Sequence, residues 1–204
     1  MEEDKCAWVM AHYAWIDGQT AAVQKATGLH CPPGCGRCCQ SRQVEATVLE
    51  MLPLAQELWA RGEAALWYER AQLDPTRCVF YTPDQLCFGT GRCQAYPWRP
   101  LLCRLFGYAA VRDKHGHAML GVCRFLKDLA PELAQRAHDQ VKDGLEVVTF
   151  AAASAALLAY EPSLTTPAYP INEALWRALE RVSLHHQLQS GAGPDADTPP
   201  EVAA

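Results

Sequence analysis

Apolar positions in this chain recur at helical spacing more often than they alternate. Val44, Val48, Met51, Ala55 and Leu58 follow one another at steps of three or four, which puts them on one helix face. Thr47 and Glu50 have capping-box spacing, so a helix is expected to start there. Pro53 would kink it, Arg61-Gly62 splits the segment Val44–Leu73 into two helices, and Asp74-Pro75 ends the second. Upstream, Ala7–Thr27 is Ala-rich and reads as a helix stopped by Gly28. Pro131–Tyr160 reads as helical throughout, with Pro131 in the first turn and Gly144 weakening the middle by about 1 kcal/mol relative to Ala. Asn172 is placed to cap a last helix with the stripe Leu175, Leu179 and Val182. Tyr108–Asp113 and His117–Val122 flank Lys114-His115-Gly116 and suit a small β-hairpin.

Two stretches follow neither period. His30–Gln40 (HCPPGCGRCCQ) has two prolines and two glycines, and Arg77–Gly107 is broken by Pro83, Pro97, Pro100, Gly89, Gly91 and Gly107. A loop as long as the second needs something to hold it inside a compact domain. Gly191–Ala204 is polar and contains prolines, a composition that stays disordered. The expectation is a mainly α chain with a cysteine-rich irregular metal-binding insert. It forms one domain over residues 1–188, with a disordered tail over 189–204.

Composition narrows the function. The 204 residues are 50% hydrophobic, enough for one sizeable core, and the net charge of −5 argues against nucleic acid as a partner. The start, MEEDKCAWVMAHY, lacks the basic and apolar regions of a secretory signal. The apolar run Val147–Tyr160 is shorter than the ~20 residues of a membrane-spanning helix. A cytoplasmic protein without a membrane partner is expected, and its partner is left as an unspecified protein or small molecule. Thiols stay reduced in that compartment, where clustered cysteines read as metal ligands.

Of ten cysteines, Cys6 stands alone and the other nine fall between Cys31 and Cys123. Cys31, Cys35, Cys38 and Cys39 form a compact box, and short spacings lose little entropy in closing around a centre. Adjacent side chains diverge, so Cys38 and Cys39 are not expected to face one ion together. Cys78, Cys87, Cys93, Cys103 and Cys123 are available as further ligands. Arg37, Arg77, Arg92, Arg99, Arg104 and Arg124 lie close in sequence to cysteines, where cations lower thiol pKa and offset thiolate repulsion. Thiolate sites suit both zinc and iron–sulfur clusters. The Gly/Pro loops and adjacent cysteines favour a cluster, a [4Fe–4S] centre, with zinc as the alternative. Tyr96 and Arg99 are candidate donors to cluster sulfurs or to a substrate; the same residues also suit plain packing and ion pairing. His115, His117, His185 and His186 read as surface residues. No Ser/His/Asp arrangement or carboxylate pair is legible, so enzymatic activity is left open.

The motifs Cys31-x3-Cys35-x2-Cys38-Cys39, Cys78-Val79-Phe80-Tyr81 and Cys93-Gln94-Ala95-Tyr96-Pro97-Trp98-Arg99-Pro100-Leu101-Leu102-Cys103-Arg104 resemble the CxxCxxCC cysteine-cluster family (YkgJ-like), described as zinc- or iron-chelating. The resemblance spans residues 31–104, extending toward Cys123. It implies Cys31, Cys35, Cys38, Cys39, Cys78, Cys93 and Cys103 as metal ligands, with Cys123 as the eighth. Two departures stand out: the first spacing is three rather than two, and Cys87 is extra. The spacing of Cys31, Cys35 and Cys38 also matches radical S-adenosylmethionine enzymes. Arg37 stands where those carry an aromatic residue, and no strand–helix series follows from which to build a barrel.

Overall fold

The computed structural model of the chain describes residues 2–73, 77–85 and 90–191. In chain order its helices are α1 (Glu2–Thr27), α2 (Val48–Ala60), α3 (Ala64–Leu73), α4 (Leu101–Leu105), α5 (Arg124–Leu129), α6 (Pro131–Lys142), α7 (Phe150–Tyr160), α8 (Pro162–Thr165) and α9 (Ile171–Ser190). Its strands are β1 (Glu45–Ala46), β2 (Tyr81–Pro83), β3 (Gly91–Cys93), β4 (Ala110–Arg112), β5 (Ala118–Leu120) and β6 (Tyr169–Pro170). They pair antiparallel in twos, β1 with β6, β2 with β3 and β4 with β5. The mainly helical class and the β4–β5 hairpin agree with the sequence pattern. The pairings β1–β6 and β2–β3 were not legible in it.

Two apolar clusters carry the fold. In the first, Val9, Tyr13 and Ile16 of α1 meet Leu49, Leu52 and Ala55 of α2 and Ala174, Leu175, Ala178 and Val182 of α9, all almost fully buried. Complete burial contributes about 1.5–3 kcal/mol for each large aliphatic side chain, so this cluster dominates the fold's stability. The second joins Val23 of α1 and Leu29, two residues past its end, to Tyr108, Leu120, Val122, Leu126, Ala137 and Val141. Cys78, Cys93 and Cys103 pack on the first cluster and Cys123 on the second, so the cysteine segments connect the two.

Local chemistry sets the element ends. The capping box forms as expected: Thr47 Oγ1 accepts from Glu50 N at 3.2 Å, and Glu50 Oε2 accepts from Thr47 N at 2.8 Å. Pro53 sits inside α2 without ending it. The long helix expected over Pro131–Tyr160 is two. Gly144 takes φ +110°, and the N–H groups of Gly144 and Leu145 bond back to the carbonyls of Val141 at 3.2 Å and Gln140 at 2.8 Å. That is a Schellman closure, which a left-handed glycine permits and which ends α6. Thr149 then caps α7 through Ala152 N at 3.1 Å. α1 starts at Glu2, ahead of the expected Ala7. α9 runs to Ser190, so the first two residues of the expected tail are helical, and residues 192–204 lie outside the described residues.

Candidate metal centre

The first cysteine box folds against β3. Gly91 N donates to Gly34 O at 2.8 Å, tying the box to the β2–β3 hairpin, in which Tyr81 pairs with Cys93. The approach leaves no room for side chains. A Cβ on Gly36 would stand 2.6 Å from the Tyr81 ring, and one on Gly91 would stand 2.5 Å from both Thr82 O and that ring. Tyr81 is fixed in turn by Gln40 Nε2, which donates to its hydroxyl at 2.9 Å, and by Thr90 O, which accepts from it at 3.0 Å. Two glycines and one aromatic ring thus bring Cys35, Cys38 and Cys39 toward Cys93.

The Arg-Pro box is anchored on α1 and α2. Leu101 N, at the start of α4, donates to Glu50 Oε1 at 2.8 Å, so one buried carboxylate closes both the α2 cap and the α4 start. Burial raises the Glu50 pKa, against the hydrogen bonds from Thr47 and Leu101. Arg104 is buried; its Nε donates to Arg99 O at 2.6 Å, its other nitrogens reach Asp17 of α1 and Pro97 O, and its guanidinium lies 4.2 Å from the Tyr13 ring centre. Cys103 is carried between these contacts. Cys78 is placed by α9. Asn172 does not cap that helix, whose preceding residue is Pro170. Its side chain instead accepts from Val79 N at 3.1 Å and donates to Arg77 O at 2.7 Å. Cys123 precedes α5, where its Sγ accepts from Leu126 N at 3.4 Å.

These anchors gather the eight candidate cysteines around two cavities. Cys31, Cys35, Cys38, Cys39, Cys93, Cys103 and Cys123 line one of about 630 Å³. Cys39, Cys78, Cys93 and Cys103 line a second of about 20 Å³, and Arg99 borders both. Cys6 lines neither, and burial pushes its thiol up to about 11. Cys87 lies outside the described residues. The adjacent Cys38 and Cys39 both line the larger cavity, and Cys39 also lines the smaller.

The sulfurs differ in their hold on a proton. Cys39 is hydrogen-bonded to both Cys38 and Cys93. Its S–H pulls Cys38 down to about 6, and Arg99 adds to this against burial. Cys93 is lowered by the same hydrogen bond and the same arginine. Cys39, between two sulfurs, is pushed up and keeps its proton. Burial pushes Cys78 up to about 12, raises Cys103 well above the usual thiol range and raises Cys31. Among the described residues, no group of three or more Cys, His, Asp or Glu side chains is arranged to hold a single ion. The thiols therefore share a neighbourhood but not a coordination polyhedron. As a donor set, sulfur alone fits zinc or iron and fits poorly the hard cations that prefer oxygen.

Of the two non-cysteine candidates, Arg99 faces the sulfurs electrostatically, next to Cys38, Cys93 and Cys103. Tyr96 is 59% exposed and supports Arg99: its ring lies 3.5 Å from the guanidinium, and its carbonyl accepts from Arg99 Nε at 3.1 Å. No histidine lines either cavity. The sequence reading did not place Asp17, Thr20 and Gln24 of α1, nor Tyr108, at the larger cavity. Tyr108 is buried beside Cys31 and Gln24, and its hydroxyl meets no partner in hydrogen-bonding geometry among the described residues. No local motif marks these residues, because the fold alone brings α1 against the cysteine boxes.

Residues 30–124 match the family model CxxCxxCC, described as "Putative zinc- or iron-chelating domain". The match agrees with the motif resemblance and supports metal binding for either metal. No curated protein and no solved structure matches the chain. Among the described residues no helix is long and apolar enough to cross a membrane.

Proposed function

We propose that this zinc- or iron-chelating domain holds an iron–sulfur centre, a [4Fe–4S] cluster, at the larger cavity. The ligands are drawn from Cys31, Cys35, Cys38, Cys39, Cys93, Cys103 and Cys123, with Cys78 available from the smaller cavity. One observation supports this reading above others: cysteines from four separate stretches border a single space of about 630 Å³. A lone structural zinc takes four thiolates at about 2.3 Å and closes them into a tetrahedron with no void beside it. A polynuclear centre spreads its ligands wider and leaves a face toward the cavity. When bound, it supplies one-electron redox capacity or a Lewis-acidic face. The chain's own part is to present thiolates, which Cys38 and Cys93 already favour, and to offset their charge with Arg99. We place the protein in the cytoplasm, where such thiols stay reduced, with a protein or small-molecule partner rather than nucleic acid or membrane.

The smaller cavity favours a second reading. About 20 Å³ among Cys39, Cys78, Cys93 and Cys103 is of single-ion size and suits a zinc-stabilised interaction module without catalytic activity. Purification without oxygen, followed by a visible spectrum and iron, sulfide and zinc analysis, separates the two. Coloured protein with iron and acid-labile sulfide in equal amounts is expected. A colourless protein with stoichiometric zinc overturns the iron–sulfur reading.

A further inference from the structure

The larger cavity offers more than sulfur. One wall is the polar face of α1, with Asp17, Thr20 and Gln24, while Ala21, Pro32 and Phe106 supply apolar surface. Four arginines, Arg37, Arg92, Arg99 and Arg104, line it against one acid, Asp17, in a chain of net charge −5. Asp17 is taken by Arg104, whose remaining donors go to Arg99 O and Pro97 O. Arg37 lies 4.9 Å from the Phe125 ring centre. Arg99 is different. Its Nε is bound to Tyr96 O and its plane rests on the Tyr96 ring, which holds the fork still, and its two Nη groups have no hydrogen-bonded partner among the described residues.

Tyr108, toward the α1 wall, is 5% exposed; its hydroxyl lies beside Cys31 and Gln24 but makes no hydrogen bond of good geometry among the described residues. A buried donor left unpaired costs about 1–3 kcal/mol, and native structures carry few of them. The cavity thus holds a fixed cationic fork beside Cys38 and Cys93, an orphaned hydroxyl beside Cys31 and an apolar patch. Its volume lies within the roughly 300–1,000 Å³ of small-molecule sites.

We propose that this cavity binds a small organic carboxylate beside the metal centre. Arg99 takes the carboxylate, Tyr108 Oη donates to a second acceptor, and the carbon skeleton lies against Phe106, Pro32 and Ala21. The planar guanidinium fork of Arg99 matches the two coplanar oxygens of a carboxylate. The proposal rests on the reading that the thiols hold a metal, which fills the sulfur side of the space and leaves the α1 side to the ligand.

The test uses the full chain, purified without oxygen and analysed for metal. Butyrate, glutarate and the neutral butyramide are titrated separately and followed by saturation-transfer NMR. Glutarate should bind more tightly than butyrate, and butyramide at least about tenfold more weakly than butyrate. Arg99→Gln should weaken both acids about tenfold or more, with part of the loss recovered in Arg99→Lys. Tyr108→Phe should weaken glutarate and spare butyrate. Should Arg99→Gln lose its metal, Gln24→Leu, on the α1 wall beside Tyr108, should still weaken glutarate. Absence of saturable binding, equal binding of butyramide and butyrate, or indifference to both Tyr108→Phe and Gln24→Leu overturns the proposal. Metal analysis keeps the two readings apart. Iron and sulfide without carboxylate binding sinks the ligand alone; carboxylate binding to a zinc protein sinks the iron–sulfur centre alone.

Discussion

Gly91 is the tightest point in the cysteine region. A methyl group there would overlap Thr82 O and the Tyr81 ring at 2.5 Å, so backbone must move. Gly91→Ala is therefore expected to cost about 1–3 kcal/mol in urea unfolding and to lower the metal content of purified protein, because the first box would separate from Cys93. A shifted midpoint with full metal content would mean that this approach is not what positions the ligands. Arg104 makes a second demand of the same kind. Its fork reaches two carbonyls and Asp17, a pattern one ammonium cannot copy. Arg104→Lys should lose about 2 kcal/mol although the charge is kept, read as a lower unfolding midpoint. The cysteines were legible because their spacing is itself the signal. Asp17 and Tyr108 were not, because their role depends on contacts across the fold that no local pattern encodes.

At the level of elements, α1 and α9 are joined at one end by Glu2, whose carboxylate accepts from Arg181 Nη2 at 2.8 Å and Nε at 3.1 Å. Burial works to raise the Glu2 pKa, but Arg181 and Lys5 outweigh it and hold the carboxyl below its ordinary 4.5. With the folded pKa below the unfolded one, the pair's stabilisation is complete above about pH 4.5 and fades as pH falls through the lower folded value. Arg181 is 39% exposed, which screens the pair to about 1 kcal/mol. In Glu2→Gln, melting temperature should drop at neutral pH and depend less on pH below 4.5 than in the parent chain. Helices were well marked where caps and stripes coincide, as at Thr47 and Glu50. Pro131–Tyr160 misled because Gly144 carries two meanings, a weak helix residue or a left-handed stop, and composition does not separate them. Asn172 misled for a related reason. A side chain fit for capping is equally fit to bind a passing segment, and here β6 leads so directly into α9 that Arg77 and Val79, on either side of Cys78, receive it.

For the whole molecule, stability comes from two sources. The apolar contact among α1, α2 and α9 owes nothing to sulfur, whereas the stretches 31–40 and 91–105 depend on short turns, Gly91, Glu50 and Arg104. Chelating the metal should therefore raise hydrogen exchange in those stretches while amides of α2 and α9 stay protected, since binding energy at the site is folding energy there. Uniform loss of protection would show one cooperative unit instead. Asn172 adds a boundary that family matching does not reveal. Cys78 lies inside the matched segment, yet the side-chain amide that moors the backbone on either side of it comes from a helix beyond residue 124. Cut out as a miniature, the matched segment would keep every one of its cysteines and lose the hand that sets one of them, so the smallest autonomous chelator is longer than its signature.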